Sequence, residues 1–169
     1  MLVNQARHRL RGFTLVELVT TISILAILAA IAAPSFRSFI TNQRLRNASF
    51  DLMASLTLAR SQAVTLGQQV MLTPKDSAWN AGWVVCKRDT GTGDCEQKTD
   101  VLATYDDHGP LSSLKITSDL DSIIYGKDGR LVAAPGAAFT VEPLDAIKGV
   151  AARCINIHLS GKPSTNACP

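Results

Sequence analysis

The side chains of this 169-residue chain best suited to covalent chemistry are four cysteines, Cys86, Cys95, Cys154 and Cys168. None forms a CxxC pair, and the spacings of nine and fourteen residues between successive partners do not match a zinc site. Four cysteines allow three pairings; two local bridges, Cys86–Cys95 and Cys154–Cys168, are the simplest, with free buried thiols as the alternative. Each bridge would close a short loop and contribute roughly 2–4 kcal/mol. Disulfides imply an oxidising compartment such as the periplasm or the cell exterior.

The remaining chemistry is thin. Asp106-Asp107-His108 has the residue types of a metal or acid–base site, but it runs into Gly109-Pro110 and reads as a solvated turn. Asp119 and Asp121 lack a third carboxylate at calcium-loop spacing. The glycine-rich Thr90–Asp94 stretch lies between two cysteines and reads as a disulfide loop, not a phosphate cradle. G-x-S-x-G, P-loop and H-E-x-x-H signatures are absent, so the expectation is a non-enzyme with no metal site and no cofactor. Trp79 and Trp83 have stacking surfaces that suit bases, but core packing is their ordinary role in so small a domain.

Charge narrows the field further. The formal +3 comes from Arg7, Arg9 and Arg11 alone; beyond them acids and bases balance. A neutral body argues against a globally basic nucleic-acid binder. One local imbalance remains, because no acid follows Asp145 while Lys148, Arg153 and Lys162 do.

The elements that must position these groups begin with a sharp change of character. Residues 1–12 are short, polar and basic, whereas Phe13 to Ala33 is apolar with one charge, Glu17. A helix of that length spans about 30 Å, the thickness of a hydrocarbon core. The preceding arginines predict a cytoplasmic N-terminus and an exported remainder. A cleaved secretory signal has support in Ala30-Ile31-Ala32, but the apolar run is long for one and Glu17 interrupts its beginning. A permanent signal anchor leaves Glu17 without a reason. A carboxylate in a membrane span costs on the order of a few kcal/mol unless it is compensated.

Gly12-Phe13-Thr14-Leu15-Val16-Glu17-Leu18 resembles the prepilin junction of type IV pilins and type II secretion pseudopilins. The resemblance implies cleavage between Gly12 and Phe13 by prepilin peptidase and N-methylation of Phe13. It implies that Glu17, one helical turn from the new ammonium, neutralises the N-terminus of a neighbouring subunit during assembly. Pro34 matches the family's helix-breaking proline.

Past Pro34, Leu45, Ala48, Leu52, Leu56, Ala59 and Ala63 recur at helical spacing and define one apolar face, with Gly67 as a stop. Leu58, Val64 and Leu66 predict wide burial near the helix end, and Pro34 predicts a kink or local break. Arg44, Arg46, Asp51, Arg60 and Gln62 mostly fall on other faces. Strands are expected over Gln69–Thr73, Gly82–Lys87, Val101–Tyr105, Leu114–Thr117, Ser122–Tyr125, Leu131–Ala133, Ala138–Val141 and Ala152–Leu159, with a hairpin at Asp128-Gly129. The fold class is α+β: a long N-terminal helix, membrane-spanning then amphipathic, packed on an antiparallel β-sheet head. The expected organisation is a leader over 1–12, an assembly helix over 13–40 and a head over 41–169, the last comprising helix 41–66 and a β-rich region 67–169.

The head also resembles the GspH/FimT family. Leu58-Ala59-Arg60-Ser61-Gln62-Ala63-Val64 is similar to its helix-end segment, Gly82-Trp83-Val84-Val85 to one strand, and Ile124–Arg130 to a strand ending in a glycine–arginine turn. Cys154–Lys162 is similar to its last strand and following turn. The resemblance implies a minor pilin that enters a type IV pilus and helps initiate its assembly. Implied partners are major and minor pilin subunits, prepilin peptidase and the inner membrane, with the head in the periplasm before it reaches the cell surface. Two alternatives stay open, a type II secretion pseudopilin and a minor pilin that binds double-stranded DNA for uptake. Some relatives bind DNA through a Gly-Arg-x-Arg turn; the matching Gly161-Lys162-Pro163-Ser164 has neither arginine. Arg153, Lys162 and Lys148 are the candidate phosphate contacts, and the loss of Arg's bidentate fork makes them weak and salt-sensitive.

Overall fold

The structure, a computed structural model, describes residues 13–88, 95, 100–106, 111–132 and 136–168. The leader with Gly12, the Thr90–Asp94 stretch, Asp107-His108 and Ala133 lie outside the described residues.

Helix α1 (Leu15–Leu66) runs for 52 residues. Thr14 caps it: its Oγ1 accepts from the Glu17 N–H at 3.2 Å, and its carbonyl accepts from the Leu18 N–H at 3.1 Å. The helix is continuous through Pro34, so the break expected there does not occur. Proline removes one N–H from the ladder, and the turns on either side carry the helix across it. The chain falls into two compact units, one ending at Arg37 and the other beginning at Ser38.

In the second unit α1 buries Leu45, Ala48, Leu52, Leu56, Ala59 and Ala63, the face expected from their spacing. Val64 and Leu66 are exposed and Leu58 is half-buried, against the wide burial expected there. Leu58 and Val64 each sit one residue from the buried stripe, about 100° around the helix, and fall on its flank.

Among the described residues eight strands follow: β1 (Val70–Lys75), β2 (Ala78–Lys87), β3 (Val101–Asp106), β4 (Leu114–Ser118), β5 (Ile123–Tyr125), β6 (Ala137–Pro143), β7 (Arg153–Ile157) and β8 (Pro163–Ala167). They form two antiparallel sheets, ordered β3-β2-β1-β5 and β4-β6-β7-β8, where the sequence suggested one. Inward residues alternate along the strands, as in Ala137, Phe139 and Val141 of β6. Trp79 of β2 meets Phe139 of β6 edge-on at 4.8 Å and joins the two sheets.

Three strand expectations need correction. The β1–β2 hairpin is longer than expected and turns through Asp76 and Ser77, both at positive φ (48° and 60°). Pro74 sits inside β1, but β5 pairs only with Val70–Leu72, so its missing N–H falls beyond that ladder. Of the strand expected over Leu131–Ala133, the described residues form only a bridge: Leu131 pairs with Tyr125, and the Val132 N–H donates to the Ile124 carbonyl at 2.9 Å. Gly126 N–H donates to the Arg130 carbonyl at 2.8 Å and closes that turn early. Pro163 and Ser164, read as a turn, begin β8, where a proline is tolerated as the first residue of an edge strand.

Candidate functional site

Two regions hold the residues singled out by chemistry. The first is the start of α1. Among its large apolar side chains Phe13, Leu15, Val16, Leu18, Val19, Ile22 and others through Ile31 are all exposed. Its hydroxyls are satisfied within the helix: those of Thr20, Thr21 and Ser23 donate to the Val16, Glu17 and Val19 carbonyls at 3.0, 2.9 and 2.8 Å. A helix segment that bonds its own hydroxyls and, Glu17 apart, presents apolar side chains is suited to lipid or to neighbouring apolar helices. It is long and apolar enough to cross a membrane. Glu17 lies in its first turn, where the helix dipole favours a negative charge. Thr14 and Glu17 have the spacing of a capping box, a local role that the motif reading alone did not supply.

The second region is the head. Both local disulfides form: Cys86 to Cys95 with Cα atoms 5.7 Å apart, and Cys154 to Cys168 at 5.0 Å. The first leaves from the buried Cys86 of β2; the second ties β7 to the residue just past β8. Trp83 is fully buried, stacks on Tyr105 at 4.4 Å and donates from Nε1 to Ser55 Oγ at 2.8 Å. Tyr105 donates to Asp51 Oδ2 at 2.7 Å, so Asp51 and Ser55, one helical turn apart, bolt α1 to the β2–β3 edge. Gly82 permits that edge to close, because a Cβ there would collide with the Tyr105 carbonyl. The two tryptophans therefore pack the core.

Asp106 pairs with Lys75, and Asp119 Oδ1 accepts from the Ala138 N–H at 2.9 Å beside the β4–β6 ladder. No cluster of three metal-ligating side chains exists among the described residues.

Of the three candidate DNA contacts, Arg153 and Lys162 are not brought together. Lys148 adjoins Gly149, whose carbonyl accepts from Asn42 at 3.3 Å near the start of the head's helix. Arg153 opens β7, and Lys162 precedes β8 at the other end of that hairpin, about 15 Å away along the strands. Lys162 instead lies beside Arg60: both line a groove of about 510 Å³ with Met53, Thr57, Val64 and Pro163. Arg60 Nε donates to the Gly129 carbonyl at 3.0 Å, and that carbonyl abuts Gly161. Burial pushes the Tyr125 phenol behind these turns far above its ordinary range, while the Arg60 charge pulls the other way. The convergence of Arg60 and Lys162 had no sequence signal, because 102 positions of chain separate a helix face from a turn.

The chain matches the family described as Type II transport protein GspH over residues 48–161, and the prokaryotic N-terminal methylation motif over residues 7–33. Among solved structures it is similar to the type IV minor pilin FimU of Pseudomonas aeruginosa, at 20% identity and TM-score 0.59, over 78% of this chain and 92% of that one. It is also similar to the minor pseudopilin EpsH of the type 2 secretion system of Vibrio cholerae, at 10% identity and TM-score 0.54, over 73% and 97% of the two chains. Likeness at such identities speaks for the fold alone. No curated protein matches the chain.

Proposed function

The chain belongs to the Type II transport protein GspH family, and from that premise we propose that it is a minor pilin, built into a type IV pilus and helping to start its assembly. One observation carries this reading. A wholly exposed apolar helix bears a lone carboxylate one turn after a methylation-type junction, and the same helix continues into a pilin-fold head. Cleavage after Gly12 would leave an ammonium on Phe13, four residues before Glu17. The pair then compensates a charge that lipid would otherwise penalise by a few kcal/mol. Prepilin peptidase would make the cut and methylate Phe13. The inner membrane would hold the helix with the head in the periplasm until the subunit joins major and minor pilins. The disulfides suit that compartment.

The experiment is mass analysis of the mature chain together with immunodetection in sheared filaments. An N-methylated Phe13 terminus and the chain in the filament fraction are expected. An uncut chain, or a mature chain missing from filaments, would overturn the proposal. The pseudopilin reading is supported by the family match, Type II transport protein GspH; under it, deletion would impair protein export and leave pilus number unchanged. DNA capture is the weaker reading, since Arg153 and Lys162 lie at opposite ends of the β7–β8 hairpin and the Gly161–Ser164 turn has no arginine. A gel shift of the head with duplex DNA at two salt concentrations, beside an Arg153→Ala/Lys162→Ala variant, tests it directly.

A further inference from the structure

The end of the head from which its first helical residues lead back to the apolar segment carries cations around an exposed apolar loop. Neither the core nor the disulfides explain them. The loop, residues 144–150, is held to α1 and to the residues before β4. Leu144 N–H donates to the Ser113 carbonyl at 3.1 Å, Arg44 donates to Ser113 Oγ at 3.1 Å, and Asn42 donates to the Gly149 carbonyl at 3.3 Å. Arg44 and Arg46 are both exposed on the helix, and Arg46 follows Asn42 by one turn on the same face. Lys148 is exposed within the loop, and Arg153 opens β7 three residues after Val150.

The acids here are few. These bonds and the β4–β6–β7 ladders bring together residues 42–47, 111–115 and 142–153, whose acids are Glu142 and Asp145. Glu142 pairs with Lys115 at 3.0 Å, so each cancels the other. Asp145 is exposed and stands against Arg44, Arg46, Lys148 and Arg153. The balance is positive with Asp145 counted. Among these charges Leu144 is 64% exposed, and it shares a shallow hollow with the half-buried Ile147 and Val150.

The place of this surface along the chain says what it meets. Asn42 lies nine residues past Ala33, where the apolar run ends, which is about 14 Å of helix. The exposed Phe39 carries apolar surface to within one turn of Asn42. Headgroups extend roughly 5–7 Å beyond the hydrocarbon, and spanning helices lean by about 20°, which lowers one side of the base toward them. We propose that this base is a membrane-docking surface for an anionic bilayer. Arg44, Arg46 and Lys148 meet lipid phosphates, and Leu144 and Ile147 enter the interface between them. Apolar side chains ringed by cations are the composition of such contacts, and each cation near an anionic surface raises partitioning about fivefold. The same cations attract nucleic acid, but an exposed leucine at their centre and a tether this short suit a bilayer better than a duplex. The proposal rests on the membrane-helix part of the reading above.

The test uses the full-length chain in lipid nanodiscs, with paramagnetic relaxation of backbone amides measured by NMR from a spin label on the lipid headgroup. Discs of phosphatidylcholine alone are compared with discs containing about 30% phosphatidylglycerol. Relaxation at Ile147, Lys148 and Gly149 should be at least about threefold faster in the anionic discs, whereas Gly129, beside Arg60 at the other end of the head's helix, should change little. Arg46→Glu/Lys148→Glu should abolish the difference, and Arg46→Lys/Lys148→Arg should keep it. Non-reducing gels check that each variant retains its disulfides; Arg46→Gln/Lys148→Gln substitutes where the reversal does not. Equal relaxation in both discs, an equal rise at Gly129, or a difference that survives charge removal would overturn the docking surface. So would shifts of the 144–150 amides with a short DNA duplex but none with phosphatidylglycerol. A label deep in the acyl chains separates the two levels: if it leaves Ile22–Leu28 unrelaxed, the membrane-helix reading fails, and if it relaxes them without any lipid dependence in the loop, only the docking surface fails.

Discussion

Gly161 is the residue on which two turns depend. It sits at φ +76°, and a Cβ there would run into the Gly129 carbonyl and the Tyr125 ring. That carbonyl also accepts from Arg60, so it cannot yield without loosening the helix. Gly161→Ala combines left-handed backbone strain with a backbone collision, and should destabilise the head by roughly 2–4 kcal/mol. Denaturant unfolding of residues 38–169, which hold the whole core, reads this directly; a loss below about 0.5 kcal/mol would mean the turns part easily. Tyr125 makes a second prediction at this scale. Its phenol is fully buried and its folded-state pKa lies well above the unfolded value of about 10. The unfolded chain therefore releases this proton first. The stability contribution is complete below pH 10 and falls as pH rises past it. Tyr125→Phe, which also removes a buried hydroxyl without a described partner, should match the parent at pH 7 and lose less stability between pH 10 and 11.5. Parallel melting curves with equal alkaline slopes would contradict this.

Among the elements, those with a strong local pattern were legible and those set by tertiary pairing were not. The buried stripe from Leu45 to Ala63 follows helical periodicity alone, and β6 alternates as a strand should. The second sheet was not legible, because nothing local says that β4 pairs with β6 and not with β5. β8 was hidden by its composition: Pro163-Ser164-Thr165-Asn166 reads as a loop, and becomes a strand because β7 lies beside it and Cys168 is tied to Cys154. That bridge spans a sequence separation of 14, and its loss should cost roughly 2–4 kcal/mol. In Cys154→Ser/Cys168→Ser the effect should concentrate in β8, an edge strand. Hydrogen exchange would show Ser164–Asn166 amides losing protection before those of β6. Uniform loss across the second sheet would mean that β8 and β6 unfold as one unit. The paired cysteines, the apolar helix and Glu17 were visible because each is an anomaly of composition. The Arg60–Lys162 groove was invisible because it is an ordinary surface until the turns meet.

At the scale of the whole molecule the question is why a carboxylate sits at the head of an apolar helix. Two answers compete. Glu17 has the capping-box position relative to Thr14, and a cap is worth about 1 kcal/mol, with a further few tenths from the helix dipole. Burying that charge in lipid costs on the order of 3 kcal/mol, so capping alone does not offset it. The larger compensation has to come from an opposite charge, and the ammonium of a cleaved Phe13 is the one the junction would supply. Glu17→Gln separates the two explanations. Glutamine keeps the capping-box geometry and inserts more readily, but it offers no charge. If charge pairing with a neighbouring subunit drives assembly, the variant should insert, be cut and be methylated as before, yet fall at least about tenfold in sheared filaments, since 1.4 kcal/mol corresponds to a factor of ten. If Glu17 serves only as a cap, the variant should assemble like the parent. The comparison is a ratio of filament-bound to membrane-bound chain, so a change in expression or insertion does not imitate either result.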